Sequence, residues 1–300
     1  TNEDTLSIGT VFHLDSLAEE RAEPHELLNG LLTHPLLAQW LGALRFVALS
    51  RAQGLPLTRA QALGINLSTV FYGLFLPGGT ATSWIIRLVR LPGARQQLAL
   101  ALAVIASDRA FATAVGAVIG LTADLALGMP ATFVVTAALV GVTLGSGFVG
   151  WALLSPTVAG WMHRWRERPL LRQIPQRLWR GQGTSELLPA ATTVWAGALS
   201  VGVHGIGIFA WWILARGIGL ELGLPELAWV RSAALVVGLL PLTVGGLGLR
   251  EGTTVVLLGL LGIPAADALS LSLLAFLVTI FGVGAVGGIV ESARLLHQRA

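Results

Sequence analysis

The sequence predicts an all-α protein, a polytopic transmembrane helix bundle with two opposed re-entrant helical hairpins. Hydrophobic residues make up 54% of the 300 positions and charged residues 12%, with a mean hydropathy of +0.75, whereas a typical soluble domain has about 25% charged residues. Apolar stretches of about 20 residues recur, and each is long enough to cross a hydrocarbon core of about 30 Å. Two of these stretches are interrupted by proline and glycine, which stop a helix.

The composition also excludes several classes of function. The chain has no cysteine, which excludes disulfides, thiolate catalysis and cysteine-ligated metals. The high isoelectric point does not indicate a nucleic-acid partner, because the arginines lie between apolar segments, where the positive-inside rule accounts for them. Phosphate-loop, zinc-protease and serine-hydrolase motifs are missing, so we expect no cofactor, no metal and no catalytic residue.

Residues 1–26 form an acidic segment that we expect on the non-cytoplasmic side. They carry seven of the sixteen acidic residues and one arginine, and no signal peptide is visible. Residues 27–300 are predicted to form a single transmembrane domain. Its first spanning helix covers residues 27–49, and its cytoplasmic end is marked by arginines at positions 45, 51 and 59.

The first interrupted hairpin is predicted at residues 60–86. Its break lies at Phe75-Leu76-Pro77-Gly78-Gly79-Thr80, and arginines 87, 90 and 95 follow it. Arginines on both sides of one interrupted segment place both ends on the same membrane face. A hairpin that enters the membrane and returns meets this condition, whereas a simple span does not.

The middle of the chain is predicted to contain two further spans and a basic linker. Residues 98–106 are too short to cross, so Asp108-Arg109 is expected to open a span at 110–128, as a structural anchor or as part of a gate. A second span covers 131–154. The linker 163–183 carries six arginines and one acid, which is typical of a cytoplasmic segment on anionic lipid or of a plain topology-setting loop.

The second half is predicted to contain a span, a hairpin that enters from the opposite membrane face, and a final span. Residues 187–214 span outward, and a second hairpin at 227–261, broken at 241–248, is entered from outside. Residues 266–290 then return, leaving the C-terminus in the cytoplasm. Opposed broken hairpins are typical of inverted-repeat transporters, whose sites lie near the membrane midplane.

The returning half of each hairpin begins at its break, and a helix start binds anions, above all phosphates. With Arg87 and Arg250 nearby, two such starts around a shared cavity would suit a phosphate-bearing headgroup. Alternatively, Arg250 and Glu251 form an internal ion pair that closes the hairpin. Asn66 either contacts the ligand or pairs with freed backbone carbonyls.

One motif resembles the signature of the lysylphosphatidylglycerol synthase transmembrane-region family, also called flippase-like: Leu240-Pro241-x-x-x-Gly245-Gly246-x-Gly248-x-Arg250-Glu251. The resemblance covers roughly residues 35–293. Further matching stretches are Phe71-Tyr72-Gly73-Leu74-x-Leu76-Pro77-Gly78, Arg87-x-x-Arg90-Leu91, Asp108-Arg109 and Ala268-x-Ser270-Leu271.

Members of that family are polytopic inner-membrane proteins. Some form the lipid-translocating half of aminoacyl-phosphatidylglycerol synthases, and others are associated with polyprenyl-linked sugars or hopanoids. The resemblance implies a central site whose core is Gly245, Gly246, Gly248, Arg250 and Glu251. The remaining expected binding residues are Arg87, Arg109, Gly78, Gly79, Asn66 and Asp108.

These observations predict a bacterial inner-membrane lipid translocase or lipid-binding transporter. Its partner would be a membrane lipid with an anionic or polyprenyl-phosphate-linked headgroup, moved without covalent chemistry. One alternative is an integral-membrane enzyme that modifies a lipid headgroup, with Glu251 or His204 as its base. The other is a non-transporting membrane subunit that binds a separate enzyme of lipid synthesis.

Overall fold

A computed structural model describes residues 24–76, 80–128, 133–154, 188–239 and 248–297, and within these ranges the regular structure is entirely helical. The all-α prediction is therefore confirmed. Most of the acidic segment 1–26, the basic linker 163–183 and the central residues of both predicted breaks lie outside the described residues. The division of the chain into an acidic segment and one transmembrane domain stays a prediction.

The first half of the chain forms helices α1 to α5. They are α1 (Pro24–Ala52), α2 (Arg59–Phe75), α3 (Thr80–Arg90), α4 (Leu98–Leu127) and α5 (Phe133–Leu154). A capping box starts α2, because Gln61 N donates to Thr58 Oγ1 at 3.2 Å and Thr58 N donates to Gln61 Oε1 at 3.0 Å. Gly128, with a φ of 60°, ends α4 in the left-handed conformation that glycine adopts without strain.

The second half forms helices α6 to α10. They are α6 (Ala190–Gly217), α7 (Leu224–Val237), α8 (Leu249–Leu260), α9 (Ala265–Phe276) and α10 (Val283–His297), with a π-helical segment, Leu277–Gly282, joining the last two. Gly262 has a φ of 82° and makes the turn between α8 and α9.

Three helices of the described chain are long and apolar enough to cross a membrane: Leu100–Leu127, Ala190–Gly217 and Ala265–Leu296. A shorter apolar helix, Phe133–Val149, falls in the predicted span 131–154. These helices support a multi-pass membrane protein. The predicted first span at 27–49 is helical but is not among the three candidates, and it carries a buried arginine, Arg45.

Both predicted helix interruptions occur. Helix α2 ends at Phe75, and Leu76 is extended (φ −96°, ψ 133°). Helix α8 begins after Gly248, whose φ of 86° favours glycine. The two halves of each interrupted segment pack against each other, α2 on α3 and α7 on α8. Entry of the two hairpins from opposite membrane faces stays a prediction.

The helix packing repeats between the two halves. Helix α1 packs against α6, its counterpart at the start of the second half. Helix α2, the first arm of one hairpin, packs against α10, and α7, the first arm of the other, packs against α4. The first arm of each interrupted segment therefore packs against a helix of the opposite half, and the inverted repeat stays a prediction.

One element differs from its prediction. Helix α4 runs unbroken from Leu98 to Leu127, so Asp108-Arg109 does not open a helix but lies inside a 30-residue one. The prediction was wrong because it treated the charged pair as the end of an apolar stretch. A helix satisfies its own backbone hydrogen bonds, and charged side chains are tolerated inside it when they face the bundle interior and find partners there.

Candidate functional site

The carboxylate of Asp108 joins three helices in the interior. Arg45 Nε, on α1, donates a 2.8 Å hydrogen bond to Asp108 Oδ1, and Arg87 Nη1, on α3, donates a 3.0 Å bond to Oδ2. Asp108 is fully buried and each arginine is 5% exposed. We call Arg45, Arg87, Asp108 and the adjacent Arg109 the Asp108 cluster.

Polar neighbours fix the orientation of both arginines. Arg87 Nη2 donates to Asn66 Oδ1 at 2.7 Å, and Asn66 Nδ2 donates to the Gln39 carbonyl at 3.3 Å. Arg45 Nη1 donates to Ser200 Oγ at 3.0 Å, which links the cluster to α6. Asn66 thus contacts a backbone carbonyl inside α1, not one freed at a helix break, and at the same time positions Arg87.

Positive charge exceeds negative charge in the Asp108 cluster, because one carboxylate faces three arginines. Arg109 is half-buried and forms no hydrogen bond with the described residues, and its Nε is buried without a partner. The Nε of Arg87 is likewise buried and unpaired. Buried donors are normally paired, and guanidinium groups bind carboxylates and phosphates in a fixed fork. The cluster therefore has donors and charge available for an anion.

The start of α8 holds the expected charge pair. Arg250 Nη2 donates to Glu251 Oε1 at 3.0 Å, and the backbone N of Gly248 donates to Glu251 Oε2 at 2.7 Å. Glu251 caps the helix, where the helix dipole favours an acid, and Arg250 also lies 5.4 Å from the ring centroid of Phe276. The internal ion pair forms, yet the Nε of Arg250 is buried and unpaired.

Four expected binding residues lie outside the described residues: Gly78, Gly79, Gly245 and Gly246. The structure brings Arg87, Arg109, Asp108 and Asn66 together in the first half. It places Gly248, Arg250 and Glu251 together in the second. The role of each of these residues in binding stays a prediction, as does a shared hollow between the two helix starts.

The sequence did not predict the role of Arg45, which lies among the arginines predicted to mark a cytoplasmic helix end. An arginine with apolar residues on both sides, inside a stretch predicted to span, was the available signal. Glu291 directly follows the last predicted span, 266–290, and was likewise given no role. Glu291 is 4% exposed and accepts hydrogen bonds from Arg90, from Ser68 Oγ at 3.1 Å and from Tyr72 Oη at 3.3 Å.

Nothing in the sequence indicated that Arg231 and His204 contact each other. His204 Nε2 lies 2.8 Å from the Ala112 carbonyl, and Arg231 Nη1 lies 3.2 Å from His204 Nδ1. Because a carbonyl only accepts and a guanidinium only donates, the imidazole is neutral with its proton on Nε2. Both of its nitrogens are therefore occupied.

Within the described ranges, no group of three histidine, cysteine or acidic side chains is placed to hold a metal ion. The Asp108 cluster instead contains more arginines than carboxylates. Such a set recognises anions.

Comparison with known proteins identifies the family. The family profile described as the lysylphosphatidylglycerol synthase TM region matches residues 18–287. No curated protein and no solved structure matches the chain. The profile match covers most of the sequence and agrees with the helical fold and the candidate spans. The chain therefore belongs to the lysylphosphatidylglycerol synthase TM region family, a membrane family related to lipids.

Proposed function

We propose that this protein is a lipid translocase or lipid-binding transporter of the bacterial inner membrane, with a cytoplasmic C-terminus. Its substrate is an anionic or polyprenyl-phosphate-linked lipid, which it moves without covalent chemistry. The observation that carries the proposal is the excess of buried arginine over carboxylate in the Asp108 cluster, together with the unpaired Nε groups of Arg87 and Arg109.

A lipid phosphate matches the chemistry of these groups. Uncompensated charge inside a membrane protein is costly, and an anionic headgroup would supply the missing negative charge while accepting hydrogen bonds from the free guanidinium donors. The acyl or prenyl chains would stay in the surrounding bilayer. Net positive charge would therefore select the headgroup, and the apolar helix surfaces would accommodate the tails.

The expected bases of the enzyme alternative are already engaged. The two nitrogens of His204 contact Ala112 and Arg231, and the two carboxylate oxygens of Glu251 accept from Gly248 and Arg250. A general base needs a free lone pair within reach of the proton it removes. These contacts favour transport over headgroup modification by His204, whereas each Glu251 oxygen keeps a second lone pair.

Reconstitution tests the proposal. Purified protein in vesicles that contain a fluorescent phosphatidylglycerol should move the probe between leaflets. The Arg250→Ala and Glu251→Ala variants should lose this movement. The matched control is Arg216→Ala, since Arg216 is exposed at the end of α6, against the Trp212 ring. Equal rates in wild type, in both of these variants and in Arg109→Gln of the Asp108 cluster would refute the mechanism, and a change in lipid mass during incubation would favour the enzyme alternative.

A further inference from the structure

Arg231 is a third interior arginine site, separate from the Asp108 cluster and from the ion pair of Arg250 and Glu251. It lies on α7, the first arm of the second hairpin, directly after the fully buried Trp229 and Val230. Its guanidinium is half-buried, and Nη1 donates to His204 Nδ1 at 3.2 Å. The hydrogen bond ties α7 to α6.

Glycines on the surrounding helices leave room for the Arg231 and His204 side chains. A Cβ at Gly207 would lie 2.3 Å from Arg231 Nη2, and a Cβ at Gly116 would lie 2.7 Å from His204 Cε1. Real Cβ atoms do not approach other atoms so closely, so an alanine at either position would displace the Arg231 or His204 side chain. The Ala112 carbonyl holds the other side of the imidazole at 2.8 Å. The direction of the Arg231 side chain is therefore set by three helices, α4, α6 and α7.

The charge of Arg231 has no carboxylate partner in the described part of the chain. Its one hydrogen-bond partner there is a neutral imidazole. The charge that acts on it there is that of Arg250, which repels it. The carboxylate of Glu251, which pairs with Arg250, already accepts hydrogen bonds from Gly248 and Arg250. An ionised group inside a membrane protein without a counter-charge marks a functional site by default.

His204 also links this group to the Asp108 cluster. Arg45 acts electrostatically on His204 from the first half of the molecule, and Arg231 acts on it from the second. Arg45 donates to Ser200, and Arg231 donates to His204 four residues further along α6. Arginines therefore continue from α1 past the imidazole to Arg231 on α7 and then Arg250 on α8.

We propose that Arg231, oriented by His204 and assisted by Arg250, binds the phosphate oxyanion of the lipid headgroup in the second half of the bundle. The inference rests on the proposed function for the identity of the substrate, and it adds a second phosphate position to that of the Asp108 cluster. A headgroup that passes between the two positions keeps an arginine partner throughout, so it crosses the interior without becoming an unpaired anion.

A binding measurement on the full chain tests this inference. Wild-type protein in a neutral detergent is titrated with phosphatidylglycerol, and its affinity is compared with that of Arg231→Gln. Loss of a charge-assisted hydrogen bond should weaken binding at least about tenfold. Arg231→Lys keeps the charge but loses the planar fork, so its affinity should lie between the two. The control Arg216→Gln removes an exposed arginine and should bind as wild type.

A second variant leaves the charge in place. Gly207→Ala introduces the Cβ that displaces the guanidinium, and it should weaken binding even though Arg231 is still present. Folding of each variant is checked by its helical circular dichroism and by size-exclusion chromatography. If Arg231→Gln does not fold, Gly207→Ala and Arg231→Lys decide the question. Wild-type affinity in the folded variants would overturn the inference.

The readout separates this inference from the proposed function, because binding needs no transport. If wild type binds phosphatidylglycerol through Arg231 but does not move it in vesicles, the translocase proposal fails and the site stands. Inorganic phosphate forms a second arm of the titration. Arg231-dependent binding of inorganic phosphate without binding of phosphatidylglycerol would overturn the assignment to a lipid. Absence of binding of either to wild type would overturn the site.

Discussion

Arg45 and Asp108 lie 63 residues apart in the sequence, and Arg45 Nε donates a 2.8 Å hydrogen bond to Asp108 Oδ1 in the interior of the bundle. Arg87 Nη1 approaches the other carboxylate oxygen at 3.0 Å. One aspartate therefore holds α1, α3 and α4 together, and it does so while leaving the cluster positively charged. The same contacts that join the three helices leave arginines in excess over carboxylates.

Replacement of the bridging aspartate should destabilise the protein strongly. Asp108→Asn removes the counter-charge of two arginines that are each 5% exposed, and removal of one partner of a buried ion pair costs about 3–5 kcal/mol. Thermal unfolding in detergent should show a markedly lower midpoint. Asp267→Asn is the matched control, since Asp267 is exposed in the first turn of α9 and should cost about 1 kcal/mol at most. Equal midpoints for the two variants would contradict a structural role of the bridge.

Replacement of Arg109 should not destabilise the protein, in contrast to replacement of Asp108. It forms no hydrogen bond with the described residues, and it adds a third cation beside a single carboxylate. Arg109→Gln should therefore leave the unfolding midpoint unchanged or raise it, because like charges repel. Lipid movement in vesicles should fall severalfold, since a guanidinium that binds the anionic headgroup is lost. Unchanged lipid movement would remove Arg109 from the binding set.

The ion pair between Arg90 and Glu291 should couple the first hairpin to the last helix. Glu291 accepts from Arg90 on α3 and from Ser68 and Tyr72 on α2. Arg90→Gln and Glu291→Gln should each destabilise the protein, and the double variant should lose less than the sum of the two. Contacting residues give interaction free energies of about 0.5–3 kcal/mol in such a cycle. Strictly additive effects on the free energy of unfolding would show that the pair contributes nothing.

Close contact between α2 and α10 should require glycine at position 287. A Cβ there would lie 2.3 Å from the Leu67 carbonyl oxygen, a backbone atom that cannot turn away. Gly287→Ala should therefore separate the helices at a cost of about 1–3 kcal/mol. Gly141→Ala in α5 is the control, because its Cβ would meet nothing within 4 Å and alanine is the better helix former. The two variants should differ clearly in their unfolding midpoints.

The sequence by itself determined the class of the fold and the positions where helices stop. Apolar stretches of spanning length predict membrane helices because the hydrocarbon core has a fixed thickness. The helix interruptions at Leu76 and Gly248 were predictable because proline and glycine act on their own backbone, whatever surrounds them. The position of Glu251 in the first turn of α8 was also predictable, because the positive end of a helix dipole attracts a carboxylate.

Only the tertiary structure decided which charges are buried and what they contact. Arg45 and Arg87 belong to the arginines that were predicted to mark a membrane face, and Glu291 had no predicted role, yet all three are buried and hydrogen-bonded to residues elsewhere in the chain. Asp108 was expected at a helix start and lies within α4, and Arg231 was assigned no role. A charged side chain is stable in a membrane bundle when distant partners surround it, and the sequence of one helix does not contain the positions of those partners.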